Sequence, residues 1–143
     1  MPVLGLRAAV AAQPAGDEPA HYTSLREAYA HMAMTAEALS GAIAGQQPEM
    51  FTGDGMASAA GLRVALNNLL AEHTFLAANA TDEALNGNTP GFEAAAAALD
   101  ENSGALADAL TSVHCDEAAA EFLDPRRHHN RLLADAPTAT APG

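Results

Sequence analysis

Histidine and carboxylate side chains in three separate segments are of the types that bind transition metals. His73 lies within "LLAEHTFLA" on a stripe that is otherwise apolar, and Glu72 precedes it. His31 and His129 lie in two further segments. Imidazole nitrogens suit Zn, Cu, Fe or Ni, and a carboxylate or thioether can complete such a ligand set. These four residues are therefore candidate ligands for a transition metal or for haem iron.

The same positions also fit a purely structural role. None has a signature metal spacing such as H-E-x-x-H or a Cys/His ladder. Glu72 and His73 are adjacent, so they point about 100° apart on a helix, and the two should not both face a bundle axis. The alternative is a buried polar layer of His73, Asn102, Ser103 and His129 that holds the helices in register. We favour this layer over the metal or haem site with His73 and His129 as principal ligands.

Other reactive residue types do not complete a catalytic set. Cys115 follows His114, and a thiol beside an imidazole can be reactive, but the remaining parts of a nucleophile site are missing. A non-catalytic protein is therefore favoured over an enzyme. Methionine thioethers could bind copper(I), or Met32 could complete the metal set, although methionine more often fills gaps in a core. The methionines in question are Met32, Met34, Met50 and Met56.

One short stretch is basic. His128 and His129 lie among Arg126, Arg127 and Arg131, which are three of the six arginines in the chain. This spot could bind an anion or an acidic partner segment. Alternatively, its positive charge suits the C-terminal turn of a helix, which favours cations.

Composition indicates the fold that must position these residues. Alanine accounts for 37 of 143 residues, tryptophan is absent and aromatic residues make up 4%. Alanine is the best helix former and fills a sheet core poorly. We predict an all-α, up-down antiparallel four-helix bundle over residues 22–135. Residues 1–21 are expected to be a flexible leader or signal remnant, and residues 136–143 a disordered tail.

The first two predicted helices carry clear apolar stripes. The first begins at a capping box formed by Ser24 and Glu27 and ends near Gly45. Its apolar positions are Leu25, Tyr29, Met32, Ala36, Leu39 and Ile43. The second runs from about 56 to 85, with His73 in phase with its leucines.

The last two predicted helices follow from their start signals. In "NGNTPG", Thr89 is the expected N-cap and Pro90 the first helical residue. Ser103 is a polar position on the seam of this third helix. The fourth segment starts at Asp116, and a break is expected at Pro125 because proline removes a helical hydrogen bond.

Helix lengths place the polar residues at similar heights. In an antiparallel hairpin, residues equidistant from the turn lie level with each other. With a turn near residue 88, His73 lies level with Ser103, and the next turn places Ser103 level with His128 and His129. Counting the same distance back from the first connector places residues 29–31 of the first predicted helix at the height of His73. At 1.5 Å per residue these positions form one layer to within about a turn.

Charge and cysteine content restrict the classes of function. The net charge is −12 and lysine is absent, so binding to a phosphate backbone is not expected. A protein partner or a homodimer is compatible with the alanine-rich helix faces. No apolar run reaches the length of a membrane span. A single cysteine, Cys115, excludes an internal disulfide and a cysteine-rich zinc site.

The first residues bear on localisation. "AAVAAQPA" is typical of the end of a secretory signal, and a Pro/Gly/acidic stretch follows. The basic start of such a signal is missing, and Arg7 interrupts the apolar stretch. We expect an exported or periplasmic protein, with a cytoplasmic one as the alternative.

Three segments carry a resemblance to known proteins. "LRVALNNLLAEHTFLAANATDEALNG", "FEAAAAALDENSGALADALTSV" and "FLDPRRHH" resemble a group of largely uncharacterised bacterial helical proteins, often exported. That group carries L-L-x-E-H, A-L-D-x-N-S and F-L-x-x-W-R-x-H segments. The likeness covers about residues 61–131.

The resemblance highlights a set of positions close to the predicted layer. Arg126 stands where the group has tryptophan, and "SVHC" replaces "SVYG", so the last helix departs from the pattern. The group has no established activity, and the resemblance implies a helical fold and a site position only. The matched residues are Glu72, His73, Asp100, Asn102, Ser103, Arg127 and His129.

Overall fold

The protein is all-helical over the residues that the structure describes. A computed structural model describes residues 2–53, 58–113 and 115–140, and these ranges contain no strand. The predicted all-α class is therefore confirmed, but the described residues form five helices where four were predicted. They are α1 (Pro2–Ala15), α2 (Glu18–Gln46), α3 (Ser58–Leu85), α4 (Thr89–Thr111) and α5 (Asp116–Thr140).

The additional helix, α1, occupies most of the segment that was predicted to be a flexible leader. It packs against α2 and, within the described residues, against no other helix. A Cβ added at Gly5 would lie 3.1 Å from the Cβ of Ala28, so the glycine permits a close approach of the two helices. Ala9 is buried, and its carbonyl accepts a hydrogen bond from His21 Nδ1 at 2.8 Å. Small residues on α1 thus allow it to pack closely against α2. The two helices form a hairpin where a flexible leader was predicted.

The start of α2 lies upstream of the predicted capping box. Gly16 adopts a φ of 70°, a left-handed conformation that favours glycine, and it turns the chain out of α1. Asp17 then caps α2, with its side chain accepting from the backbone N–H of Ala20 at 3.2 Å. The prediction that Ser24 and Glu27 begin this helix was therefore wrong.

A tight turn joins α3 and α4 as antiparallel neighbours. Gly87 has a φ of 69°, and Asn88 caps α4 by accepting from the backbone N–H of Gly91 at 3.3 Å. The cap is thus one residue earlier than the predicted Thr89. The Asn88 amide also donates to Glu83 Oε2 at 2.7 Å, which fixes the turn to the end of α3.

The last helix is continuous, in contrast to the predicted break. Helix α5 passes through Pro125, whose side chain is exposed, so water can satisfy the carbonyl that loses its helical partner. The helix also extends over 136–140, within the predicted disordered tail. Residues 141–143 and His114 lie outside the described residues, as does Met56 of the predicted methionine cluster.

Packing is concentrated in the half of the molecule near the 86–88 turn. Helices α3 and α4 form the central pair, and both contact α2 and α5. The buried apolar cluster consists of Tyr22, Leu76, Ala80, Ala95, Ala98 and Leu99. The Tyr22 hydroxyl donates to Glu83 Oε1 at 3.5 Å and so links α2 to the end of α3.

The second half of α2 departs from its predicted seam. Met32, Leu39 and Ile43 were expected to be buried, but their side chains are exposed. Contact between α2 and α3 is correspondingly sparse.

None of the described helices is long and apolar enough to span a membrane.

Candidate functional site

The amide of Asn102 is the centre of a polar network between α3 and α4. Its side chain is 0% exposed. Nδ2 donates to the Leu69 carbonyl at 3.0 Å and to Glu72 Oε2 at 2.7 Å. Oδ1 lies 3.0 Å from His73 Nδ1. One residue of α4 thereby binds three residues of α3.

These contacts determine the protonation of His73. Both partners of Asn102 Nδ2 can only accept, so the amide oxygen must face the imidazole and Nδ1 must donate. Burial lowers the pKa of His73, the positive charge of Arg126 lowers it further, and the Asn102 hydrogen bond only partly opposes this. The neutral ring carries its lone pair on Nε2, which is buried and has no hydrogen-bond partner in the protein.

Glu72 and His73 are both buried, contrary to the prediction that only one faces the interior. Their exposures are 6% and 7%. Both are accommodated because α3 is packed on more than one side. Arg26 of α2 donates from Nε to Glu72 Oε1 at 3.0 Å and also pairs with the exposed Glu101. The buried carboxylate thus has a charged partner on α2 and a neutral one, Asn102, on α4.

Helix α5 joins the network through Asn130. Ser103 is 0% exposed, and its hydroxyl donates to the Leu99 carbonyl at 3.0 Å. The same hydroxyl accepts from Asn130 Nδ2 at 2.9 Å. His129, which was predicted to be the α5 member of the layer, is exposed. His129 and Asn130 are consecutive residues, so their side chains point about 100° apart around the axis of α5.

The other predicted metal ligands differ from His73 in burial or in their partners. His31 is half-buried on α2, Met32 is exposed, and Glu72 is bound to Arg26 and Asn102. The described part of the chain contains no group of three His, Cys, Asp or Glu side chains placed to hold a metal ion. The structure therefore brings together His73, Asn102 and Ser103, with Glu72 beside them.

Two residues of the network were missed by sequence reasoning. Arg26 lies about one turn before the 29–31 segment that was placed level with His73. Asn130 follows Arg126 by four residues and so shares its face of α5, which the helical period could have revealed.

A further pair joins α4 and α5, because Arg127 donates from Nε and Nη2 to Asp100 at 2.7 and 2.8 Å. These bonds lower the pKa of Asp100.

Comparison with known proteins does not identify the network. A scan against protein-family models, a search of curated proteins and a search of solved structures each find no match to this chain. What the chain does has to be inferred from the geometry of its own residues.

Replacing Asn102 by leucine should destabilise the fold severely. Asn102→Leu would leave the His73 Nδ1–H group and one oxygen of Glu72 buried without this partner, and each such group costs about 1–3 kcal/mol. We expect the free energy of unfolding to fall by about 3 kcal/mol or more, measured by urea denaturation with circular dichroism. The matched control is Asn67→Leu, an exposed asparagine of α3, which should change stability by less than about 0.5 kcal/mol. Equal stability of the two variants would contradict a structural role for the network.

Stability should also depend on pH through His73. Its folded pKa is lowered from the usual 6.5, so below about pH 6.5 the unfolded chain takes up a proton that the folded chain resists. The free energy of unfolding should therefore fall as the pH is lowered from 7.5 to 5. Urea denaturation across this range should show a smaller fall for His73→Gln than for the wild type. His128→Gln, which replaces an exposed histidine, should retain the wild-type dependence. An unchanged slope in His73→Gln would show that another group is responsible.

Proposed function

We propose that this protein is a non-catalytic helical-bundle protein that binds a partner. In this proposal α2 to α5 form an up-down antiparallel bundle, and α1 packs on the outside of α2. The buried network holds the bundle in register. The observation that carries this role is the Asn102 amide, which is 0% exposed and has its oxygen and both N–H groups engaged by α3.

The burial of the network supports a structural role over a catalytic one. A general acid or base must reach the proton that it transfers on a bound substrate. His73 and Glu72 are each less than a tenth exposed, His73 Nδ1 is engaged by Asn102, and the Glu72 carboxylate is engaged by Asn102 and Arg26. A buried polar network that is well hydrogen-bonded specifies one arrangement of helices.

The outer face of α1 supports partner binding. Val3 and Val10 are 65% and 67% exposed, and Leu6 lies with them at the surface. Arg7 is the one charged side chain of α1, whereas the whole chain has a net charge of −12. We take a second copy of the chain as the partner, because the exposed apolar side chains of two α1 helices can bury each other.

Light scattering coupled to size-exclusion chromatography tests this partner. The wild type should form a dimer whose fraction rises with protein concentration. Val10→Glu should shift it to the monomer, because a buried, unpaired carboxylate is costly in an interface. The matched control is Leu85→Glu, an exposed leucine at the end of α3, which should leave the dimer intact. A wild type that stays monomeric throughout, or equal effects of both variants, would overturn the assignment of α1.

A transition-metal or haem-binding bundle is a second candidate function, favoured by one observation. His73 Nε2 is buried without a partner while Nδ1 is held by Asn102, and metal-bound histidines use their second nitrogen in this way. Two observations weigh against it. Arg126 places a positive charge near the ring, and His129, the other proposed ligand, is exposed.

Thermal melts distinguish the two candidates. A ligand that binds only the folded chain raises the melting temperature by mass action. With the network as a structural element, we expect no rise with Zn²⁺, Cu²⁺ or haem compared with EDTA. A rise that is lost in both His73→Gln and His129→Gln would favour the metal or haem function instead.

Two predictions from the sequence stay predictions. One is that the protein is exported or periplasmic, and the other is its resemblance to exported bacterial helical proteins. They are compatible with a partner-binding bundle, and neither is needed for the roles assigned to Asn102 and α1.

A further inference from the structure

We propose that the second half of α2 binds α1 of a second copy of this chain, so that each α1 lies between its own α2 and the α2 of the other copy. This inference rests on the proposed function and deepens it, because it names the surface that receives the outer face of α1. The receiving surface consists of Met32, Leu39 and Ile43 and is called the α2 stripe.

The α2 stripe lies on the side of α2 that α1 packs against. Ala28 is buried on that side, where a Cβ added at Gly5 would lie 3.1 Å from the Cβ of Ala28. Met32, Leu39 and Ile43 follow Ala28 at positions i+4, i+11 and i+15, which places them within about 60° of it around the helix axis. Unlike Ala28, these three side chains are exposed. The apolar side of α2 therefore continues beyond its contact with α1.

The length of α2 leaves room for one more helix of the size of α1. Gly5 lies against Ala28, and the Ala9 carbonyl accepts from His21, so α1 runs antiparallel to α2 and covers its first half. Equal distances from the turn at 16–17 place the start of α1 level with about residue 31. Residues 32–46 of α2 extend further and are about as many as the 14 residues of α1. A second α1 therefore fits along this part of α2.

The outer face of α1 is too small to hold a stable dimer by itself. A stable protein interface takes about 20–30 residues from each partner. The α2 stripe supplies additional apolar surface, and in a two-fold dimer each copy contributes both surfaces to one interface. The residues on the outer face of α1 are Val3, Leu6, Arg7, Val10 and Ala11.

The distribution of charge permits this contact in an acidic protein. The net charge of −12 opposes the approach of two copies over most of the surface. Arg7 is the one charged side chain of α1, and Glu37 is the one carboxylate in residues 32–46, which contain no arginine. Glu37 lies two residues before Leu39, so it points away from the α2 stripe. The stripe therefore presents no negative charge to the other copy.

Two-fold symmetry determines which residues meet. With the first residues of the two α1 helices at the axis, Val3 of one copy lies beside Val3 of the other, and these side chains bury each other. Each α1 then runs along the second half of α2 in the other copy. Counting residues from the axis places Val10 of one copy level with Ile43 of the other, more than a turn from Arg7. The two Val10 side chains lie more than about 20 Å apart, because the α1 helices run away from the axis.

Light scattering coupled to size-exclusion chromatography tests the α2 stripe. Ile43→Glu should weaken the dimer at least about 10-fold, because its carboxylate would be buried without a partner against Val10 of the other copy. The matched control is Met34→Glu, since Met34 is 54% exposed and Ile43 is 43% exposed, but Met34 lies on another face of α2. This control should change the dimer affinity by less than about 2-fold. Circular dichroism melts establish that both variants are folded.

The outcomes separate this inference from the proposed function. A dimer that Val10→Glu disrupts and Ile43→Glu leaves intact would overturn the binding of α1 to the α2 stripe, while the assignment of α1 as an interface would stand. Equal weakening by Ile43→Glu and Met34→Glu would have the same consequence. A wild type that stays monomeric, or a dimer that neither Val10→Glu nor Ile43→Glu weakens, would overturn both proposals.

Cross-linking identifies the occupant of the α2 stripe. Val10→Cys and Ile43→Cys are prepared as separate variants, each with Cys115→Ser, because Cys115 is the one cysteine of the chain. A short bismaleimide should link the two variants in a mixture and should link neither variant to itself, since like positions lie more than about 20 Å apart. A Val10→Cys variant that links to itself would show that two α1 helices pack side by side. That result would overturn this inference and leave the second copy as the partner.

Discussion

The structure depends on satisfying one fully buried amide. Asn102 has no access to water, so each of its polar atoms needs a protein partner. Those partners, Leu69, Glu72 and His73, lie on a single turn of α3. Any rotation or slide of α4 against α3 would break two or more of these bonds at once. The requirement therefore selects one register for the central helix pair, although alanine-rich faces alone would tolerate several.

Charge extends this constraint to a third helix. Glu72 accepts from Asn102, and a buried carboxylate is costly unless it is also paired with a cation. Arg26 supplies that cation from α2 and reaches the exposed Glu101 as well. A hydrogen bond between the neutral side chains of Ser103 and Asn130 fixes α5 to α4 in a corresponding way. The helices around α4 are thus positioned by polar contacts in one half of the molecule, while the exposed apolar residues of α2 lie in the other.

Hydrogen bonding in the network is complete on one side and incomplete on the other. Asn102 is engaged on its oxygen and both N–H groups, whereas His73 Nε2, Arg126 Nε and Asn130 Oδ1 have no protein partner. Two of these atoms belong to α5, and the third belongs to His73, on which Arg126 and His129 of α5 act electrostatically. The fully hydrogen-bonded part of the network therefore lies between α3 and α4. This is the physical basis for assigning the register-fixing role to the contacts between α3 and α4.

Composition and helical period by themselves determined the all-helical class, the 86–88 turn, and the shared height of His73 and Ser103. These properties depend on propensity and on a constant rise per residue, which are local. Tertiary structure decided which side of each helix faces inward, because that rotation depends on packing between residues far apart in the chain. Glu72 is buried because Arg26, 46 residues earlier, meets it. Asn130, and not the predicted His129, joins the network because the packing of α5 sets the rotation of that helix. Helix α1 likewise needs α2, since an isolated helix of 14 residues is marginal in water.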